Sequence, residues 1–301
     1  MIRQHLRCYV LENVVHPLSC HRRRRESARA HAQGILLDLV EAEIGTTDTQ
    51  SESTSWNIIG DVKSESSRGE MVVLGAHYDC HDVSQGAEDS ASGVLAVLAI
   101  ARAMQHHAEF LNRNVRVILF GVEELGLIGS QAYVDSFPED LQKTRFMFNL
   151  DSAGRRMRKG LTVYAPDSRE YFRTMSEQMG EEIVVDQNVF PFREPEHLSD
   201  DHFPFSTKGI PCGFVSDPHA RDTEGFYHTA HDTVEKVSLL MVKQSAFLCA
   251  RMAWRVANED QWCLGGMSKD ELAIHNASFE RCEARQIEEA IEVLRRRRQM
   301  T

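Results

Sequence analysis

Glu123 and Glu124 stand side by side in Leu119-Phe120-Gly121-Val122-Glu123-Glu124-Leu125-Gly126, directly after the apolar run Val115–Phe120. Adjacent side chains on an extended segment point in opposite directions, so the two carboxylates are expected to have different jobs. An unpaired carboxylate is costly to bury, and something cationic belongs beside this pair. A metal site meets that need, with one Glu as ligand and the other as proton carrier. Other apolar runs end in the same chemistry. Met71–Ala76 leads into His77-Tyr78-Asp79, and Phe146–Leu150 leads into Asp151. Asp89 lies in the loop Gly86-Ala87-Glu88-Asp89-Ser90-Ala91-Ser92-Gly93, and His228 lies in Phe226-Tyr227-His228-Thr229-Ala230-His231-Asp232-Thr233. Imidazole and carboxylate donors without cysteine suit zinc or another borderline divalent ion better than calcium or magnesium.

These residues need a scaffold that brings the run ends together. Met71–Ala76, Val115–Phe120 and Phe146–Leu150 have the unbroken apolar character of strands buried on both faces. Asn57–Val62, Leu161–Tyr164 and Gly213–Val215 read as further strands. Helical patterns fall at 26–44, 92–105, 129–136, 169–179 and 237–256. This alternation predicts an α/β fold, a three-layer α/β/α sandwich with a mixed, mainly parallel central sheet. Ligands of such sheets bind beyond the carboxyl ends of the strands, where the His, Asp and Glu residues fall. We divide the chain into a catalytic domain over 1–265 and a C-terminal helical extension over 266–301. The extension opens on Ser268-Lys269-Asp270-Glu271, a capping box. Ile287, Ile291 and Leu294 are spaced for one helical face, and Arg295–Arg298 complement the helix dipole. That helix is expected to pack on the body or on a second copy of the chain.

Composition narrows the function. The chain has 301 residues and a formal net charge of −11, which argues against a nucleic-acid partner. No apolar stretch is long enough for a bilayer, and no secretory pattern opens the chain, so a cytoplasmic protein without a membrane partner is expected. The seven cysteines are scattered with no Cys-x-x-Cys, the pattern of reduced thiols. Cys80 is the one to watch, because it follows a candidate site segment.

The residues His77-x-Asp79, Gly86-Ala87-x-Asp89-x-x-Ser92-Gly93, Glu123-Glu124-x-Gly126-Leu127-x-Gly129-Ser130, Asn149-x-Asp151, Asp201-His202-x-x-Phe205 and His228-Thr229-x-x-Asp232-Thr233 occur in that order. Together they resemble metallopeptidase family 28, the co-catalytic zinc aminopeptidase family that also contains glutamate carboxypeptidases. The resemblance spans residues 57–257 and implies two zinc ions. Asp89 would bridge them, with Glu124 and His228 completing one set of ligands and His77 and Asp151 the other. Glu123 would be the general base for a metal-bridging water that attacks a peptide substrate, and Asp79 would orient His77. A cis peptide at Asp89-Ser90 is implied as well. Two positions depart from the family pattern: Ser90 replaces the usual Asn, and His197 stands where an oxyanion-assisting Tyr often lies. His197 is a candidate oxyanion donor, or else an exposed loop histidine.

The leading reading is therefore a zinc-dependent exopeptidase, an aminopeptidase. A glutaminyl cyclase-like acyltransferase with one zinc is the first alternative, favoured by Asp89-Ser90 and by Asp200-Asp201-His202. A carboxypeptidase is another, with Arg193 or Arg221 as anchors for a substrate carboxylate. Glu194 or Glu196 would instead hold a free amine. A non-catalytic, receptor-like relative is disfavoured because every ligand position is kept. Asp200, Asp201 and His202 are given no metal role, and His231 is expected to face solvent.

Overall fold

A computed structural model of the protein describes residues 8–15, 53–67, 69–155, 160–164, 166–178, 200–216, 225–260, 264 and 267–278. Its strands are β1 Cys8–Val15, β2 Ser53–Val62, β3 Met71–His77, β4 Asn114–Phe120, β5 Thr144–Asn149, β6 Gly160–Tyr164 and β7 Cys212–Ser216. They form one seven-stranded sheet in the order β1-β2-β4-β3-β5-β7-β6. The central strands β4, β3, β5 and β7 run parallel. The flanks are antiparallel: β2 joins β4, β1 joins β2, and β6 joins β7. The apolar runs anticipate the parallel centre. Cys8–Val15, which has no strand reading in the sequence, extends one flank. The pattern expected at 26–44 lies outside the described residues.

The helices are α1 Ser92–His106, α2 Ile128–Ser136, α3 Pro138–Lys143, α4 Pro166–Gln178, α5 His202–Thr207 and α6 Leu239–Asn258. Strand side chains alternate between two cores. Val72, Leu74, Val115, Val117, Phe146 and Phe148 face α1, α4 and α6, which contribute Ile100, Phe172 and Met252 among others. Met71, Val73, Ile118, Phe120 and Met147 face the other side, against Tyr133 and Val134 of α2, Leu141 of α3 and Phe205 of α5. Helices therefore cover both faces, which is why the central strands are apolar throughout.

The connections place the site. From β3 the chain crosses through α1 to β4. It then crosses back through α2 and α3, on the opposite face, to β5 on the other side of β3. The strand order thus reverses about β3, with the two crossovers on opposite faces of the sheet, and a crevice opens at its carboxyl end. Register lines up the chemistry there. His77 pairs with Phe120 and Gly75 with Asn149, so Asp151, two residues on, comes level with His77.

Beyond α6, the capping box forms as expected. The Ser268 N–H donates to Glu271 Oε2 at 2.8 Å, and the Glu271 N–H donates to Ser268 Oγ at 3.2 Å. Residues 269–278 are helical. They lie on α5, where His275 Nε2 is 2.6 Å from Ser206 Oγ and Asn276 Nδ2 donates to the Thr207 carbonyl. Ile287, Ile291, Leu294 and Arg295–Arg298 lie outside the described residues. Among the described residues no helix is long and apolar enough to cross a membrane.

Candidate metal centre

His77 closes β3 and is buried. Its Nδ1 lies 3.1 Å from the Asp79 carbonyl oxygen and 3.5 Å from Asp79 Oδ1, which leaves Nε2 facing the crevice. That Nε2 is 2.9 Å from Asp89 Oδ1 and 3.4 Å from Asp151 Oδ1. The other oxygen of Asp89, Oδ2, lies 3.0 Å from His228 Nε2. The Asp89 carboxylate thus carries one imidazole at each oxygen. Glu124 Oε2 lies 3.3 Å from the same His228 nitrogen. His77, Asp89, Glu124, Asp151 and His228, drawn from widely separated segments, converge at one place.

Asp89 is held by its neighbours. Asp232 accepts the backbone N–H groups of Glu88 and Asp89 at 2.8 and 3.1 Å. The Ser92 hydroxyl donates to the Glu88 carbonyl at 2.6 Å and accepts the Gly154 N–H at 3.1 Å, tying this turn to the segment after Asp151. Gly93 is required at the junction, since a Cβ there would lie 1.8 Å from the Leu150 carbonyl oxygen. The Asp89-Ser90 peptide is cis.

The two glutamates lie past the end of β4, not on it. Val122 holds a positive φ of 62°, and the Gly126 and Leu127 N–H groups both donate to the Glu123 carbonyl. A tight turn therefore sets their directions, in place of the side-to-side alternation expected of an extended strand. Asp79 accepts the backbone N–H of Glu123 at 3.0 Å and of Glu124 at 3.2 Å. Its carboxylate fixes the glutamate turn more directly than it fixes His77. Asn57 braces the same turn, accepting the Gly121 N–H and donating to the Gly129 carbonyl. Ser152 and His228 also hold positive φ, at 51° and 57°. Each such residue costs about 1–3 kcal/mol, and they gather where function constrains the backbone.

The electrostatics are those of crowded, buried donors. Burial, followed by the charge of Asp89, pushes the Glu124 carboxyl up to about 8. Burial raises Glu123 well above the usual carboxylate range; the His77 charge opposes this, and the Asp201, Asp151 and Asp200 charges add to it. Burial also works to raise Asp89, but the bonds from His228 and His77 overcome it and hold Asp89 below its ordinary value. His77 is raised: burial disfavours its charge, and Asp151, Asp79 and Asp89 together outweigh that. Burial lifts Asp201 to about 7 and raises Asp200 strongly. Both stand at the start of α5 near Glu123, without a place in the donor cluster.

Divalent zinc fits this arrangement. Donor atoms of His77, Asp89 and Glu124, and of His81, Glu124 and His228, lie within 4.8 Å of one another. Two donors on one tetrahedral zinc, each about 2.0–2.1 Å from it, sit about 3.3 Å apart, close to the spacings above. A cation would also relieve the repulsion that raises Glu124.

Residues without a site motif in the sequence also contact the cluster or its supports. His81 Nε2 lies 2.9 Å from Glu124 Oε2, and its ring centroid lies 4.1 Å from that of His228. The alternation His77, Asp79, His81 was the available signal. Arg155 lies 3.3 Å from the buried Glu88 carboxylate, and its guanidinium sits 4.7 Å over the Tyr227 ring. Tyr227 in turn stacks on His228 at 3.6 Å. Arg155 thus braces the sequence neighbours of both Asp89 and His228. Nothing local in the sequence marks it. His231 is exposed. Cys80 is exposed, its Sγ 3.4 Å from the Ser84 carbonyl oxygen. His197, Arg193, Arg221, Glu194 and Glu196 lie outside the described residues.

An α/β/α sandwich with clustered imidazoles and carboxylates at the carboxyl edge of its sheet defines the class: an α/β protein with a metal site at the sheet edge. The chain belongs to Peptidase family M28, whose profile it matches over residues 57–253. It is 32% identical to aminopeptidase YwaD of Bacillus subtilis (strain 168) over 215 residues, which is 69% of this chain and 46% of that protein. The structure resembles the zinc aminopeptidase BSAP from Bacillus subtilis, with a TM-score of 0.55 and 29% identity, covering 72% of this chain and 54% of that one. The chain thus spans about half the length of these relatives. A glutaminyl cyclase from an Acidobacteriales bacterium shares the fold at 19% identity and a TM-score of 0.54, covering 67% of this chain and 74% of that one.

Proposed function

We propose that the chain is a zinc-dependent exopeptidase, an aminopeptidase, that binds two metal ions and cleaves peptides from a free N-terminus. The observation that carries this reading is the Asp89 carboxylate with His77 Nε2 at one oxygen and His228 Nε2 at the other. A carboxylate flanked in this way is suited to serve two cations at once. His77, Asp89 and Asp151 would hold one zinc, and Asp89, Glu124 and His228 the other. Bound there, zinc supplies a water acidic enough to attack at neutral pH and a Lewis acid for the carbonyl oxygen.

The chain's own residues do the rest. Glu123 takes the proton of the attacking water and delivers it to the departing amine. One carboxylate serves both steps, because hydrolysis moves a proton from water to amine. Burial, which makes its protonated form easier to hold, suits that role. Asp79 fixes the position of Glu123 through its backbone N–H. The relatives named as aminopeptidases support the substrate class.

The test is a comparison of free and N-acetylated peptides with the zinc-loaded protein. Cleavage of the free peptides alone is expected. Cyclisation of N-terminal glutamine with one zinc per chain would replace this reading with the acyltransferase one.

A further inference from the structure

The donors around Glu124 outnumber those the two-metal arrangement requires. Glu124 Oε2 has His228 Nε2 at 3.3 Å and His81 Nε2 at 2.9 Å, and His228 Nε2 also faces Asp89 Oδ2. His81 is not on a loose loop. Its carbonyl accepts the Ser84 N–H at 2.9 Å, and the Ser84 hydroxyl accepts the Gly86 N–H at 2.9 Å. A Cβ on Gly86 would lie 2.4 Å from the Cβ of Cys80, so the turn is packed against the residue before His81. The imidazole is therefore delivered to Glu124 by a folded turn.

We propose that His81 is a fourth protein ligand of the metal held by Asp89, Glu124 and His228. The proposal rests on the two-metal reading above. The donor atoms of His81, Glu124 and His228 lie within 4.8 Å of one another, and Asp89 joins them through Oδ2, 3.0 Å from His228 Nε2; drawn onto one ion, they would supply the two imidazole nitrogens and two carboxylate oxygens of a tetrahedral zinc set. His77, Asp89 and Asp151 supply three, the number that leaves a coordination position open. The two positions are then inequivalent: four protein donors would hold the metal at the Glu124 position and three the metal at the Asp151 position. Tight and weak metal binding follow in that order.

Cobalt(II) titration of the metal-free full-length chain tests this without an activity assay. The wild-type chain is expected to take up two ions, one more tightly than the other. His81→Ala weakens the tight one on the order of 10–100-fold or more and spares the other. His81→Gln, which keeps a hydrogen-bond donor but not a metal-binding imidazole, behaves like His81→Ala. His81→Cys in a Cys80→Ser background places a thiolate at the same position, and a thiolate-to-cobalt charge-transfer band in the near ultraviolet reports its ligation. Wild-type cobalt affinities in His81→Ala or in His81→Gln, or absence of that band, overturn the proposal and leave the two-metal reading standing. If the wild-type chain binds a single cobalt ion, the two-metal reading fails, and the thiolate band still decides the role of His81. No cobalt uptake by the wild-type chain overturns both.

Discussion

Asp232 reaches across 143 residues of sequence to accept the backbone N–H of Asp89 at 3.1 Å. Its second oxygen accepts that of Glu88 at 2.8 Å, so one buried carboxylate holds the turn that presents the central donor of the site. Asp232→Ala leaves both N–H groups buried without this acceptor, at about 1–3 kcal/mol each. We expect a lower denaturation midpoint and weaker uptake of both metals, because Asp89 faces both positions. Wild-type metal affinity in a destabilised variant would confine Asp232 to a folding role.

Glu123 is buried beside the cluster, and the clustered donor atoms belong to His77, His81, Asp89, Glu124 and His228. Glu123→Gln removes the proton carrier and preserves the shape of the side chain. We expect kcat/KM to fall by roughly 10²–10⁴ while two metals are retained. Peptide hydrolysis at the wild-type rate in this variant excludes Glu123 as the general base.

Gly93, in the first turn of α1, packs against the Leu150 carbonyl oxygen, where an added Cβ would lie at 1.8 Å. Leu150 is fixed in turn by its N–H donating to the Gly75 carbonyl. In Gly93→Ala the helix start must therefore move, separating the Asp89 turn from the Asp151 segment. Overpacking of this kind costs about 1–3 kcal/mol or more. Urea melts and metal stoichiometry should both report the change. A variant with unaltered stability and stoichiometry would show that the contact is relieved elsewhere.

Stability of the metal-free protein should depend on pH in one direction between about 5 and 8. Glu124 at about 8 and Asp201 at about 7, with Glu123, Asp200 and His77 also raised, bind protons in the folded state that the unfolded chain releases earlier. Where the folded state holds more protons, stability falls as pH rises. Asp89 and Asp79 are lowered and act with the opposite sign, but only below about pH 4, where an unfolded carboxylate titrates. We expect the Tm of the chelated protein to be about 5 °C or more lower at pH 8 than at pH 5.5, which corresponds to roughly 2 kcal/mol. Zinc added at pH 8 should restore it, since the ion replaces protons on the same oxygens. A flat or rising Tm across this range would mean that the carboxylates are better solvated than the buried arrangement implies.

The amino-acid order determined a great deal on its own. The apolar runs at Met71–Ala76, Val115–Phe120 and Phe146–Leu150 announced the parallel strands, because burial on both faces requires continuous hydrophobicity. The residues that follow them announced the chemistry, because strands of one sheet that run parallel end at one edge. The capping box at Ser268 was legible because its bonds close within one helical turn. Tertiary structure alone decided the rest. Glu123 and Glu124 take their directions from the turn after Val122, which no strand periodicity describes. Asp232 holds Asp89, Asp79 holds the glutamate turn, and Arg155 braces Glu88 and Tyr227. His81 enters the donor set at Glu124. Most of these contacts join segments tens to more than a hundred residues apart, and all depend on how loops close over the sheet edge. Local periodicity encodes which face of an element is buried; it carries no record of which loop residues meet across a crevice.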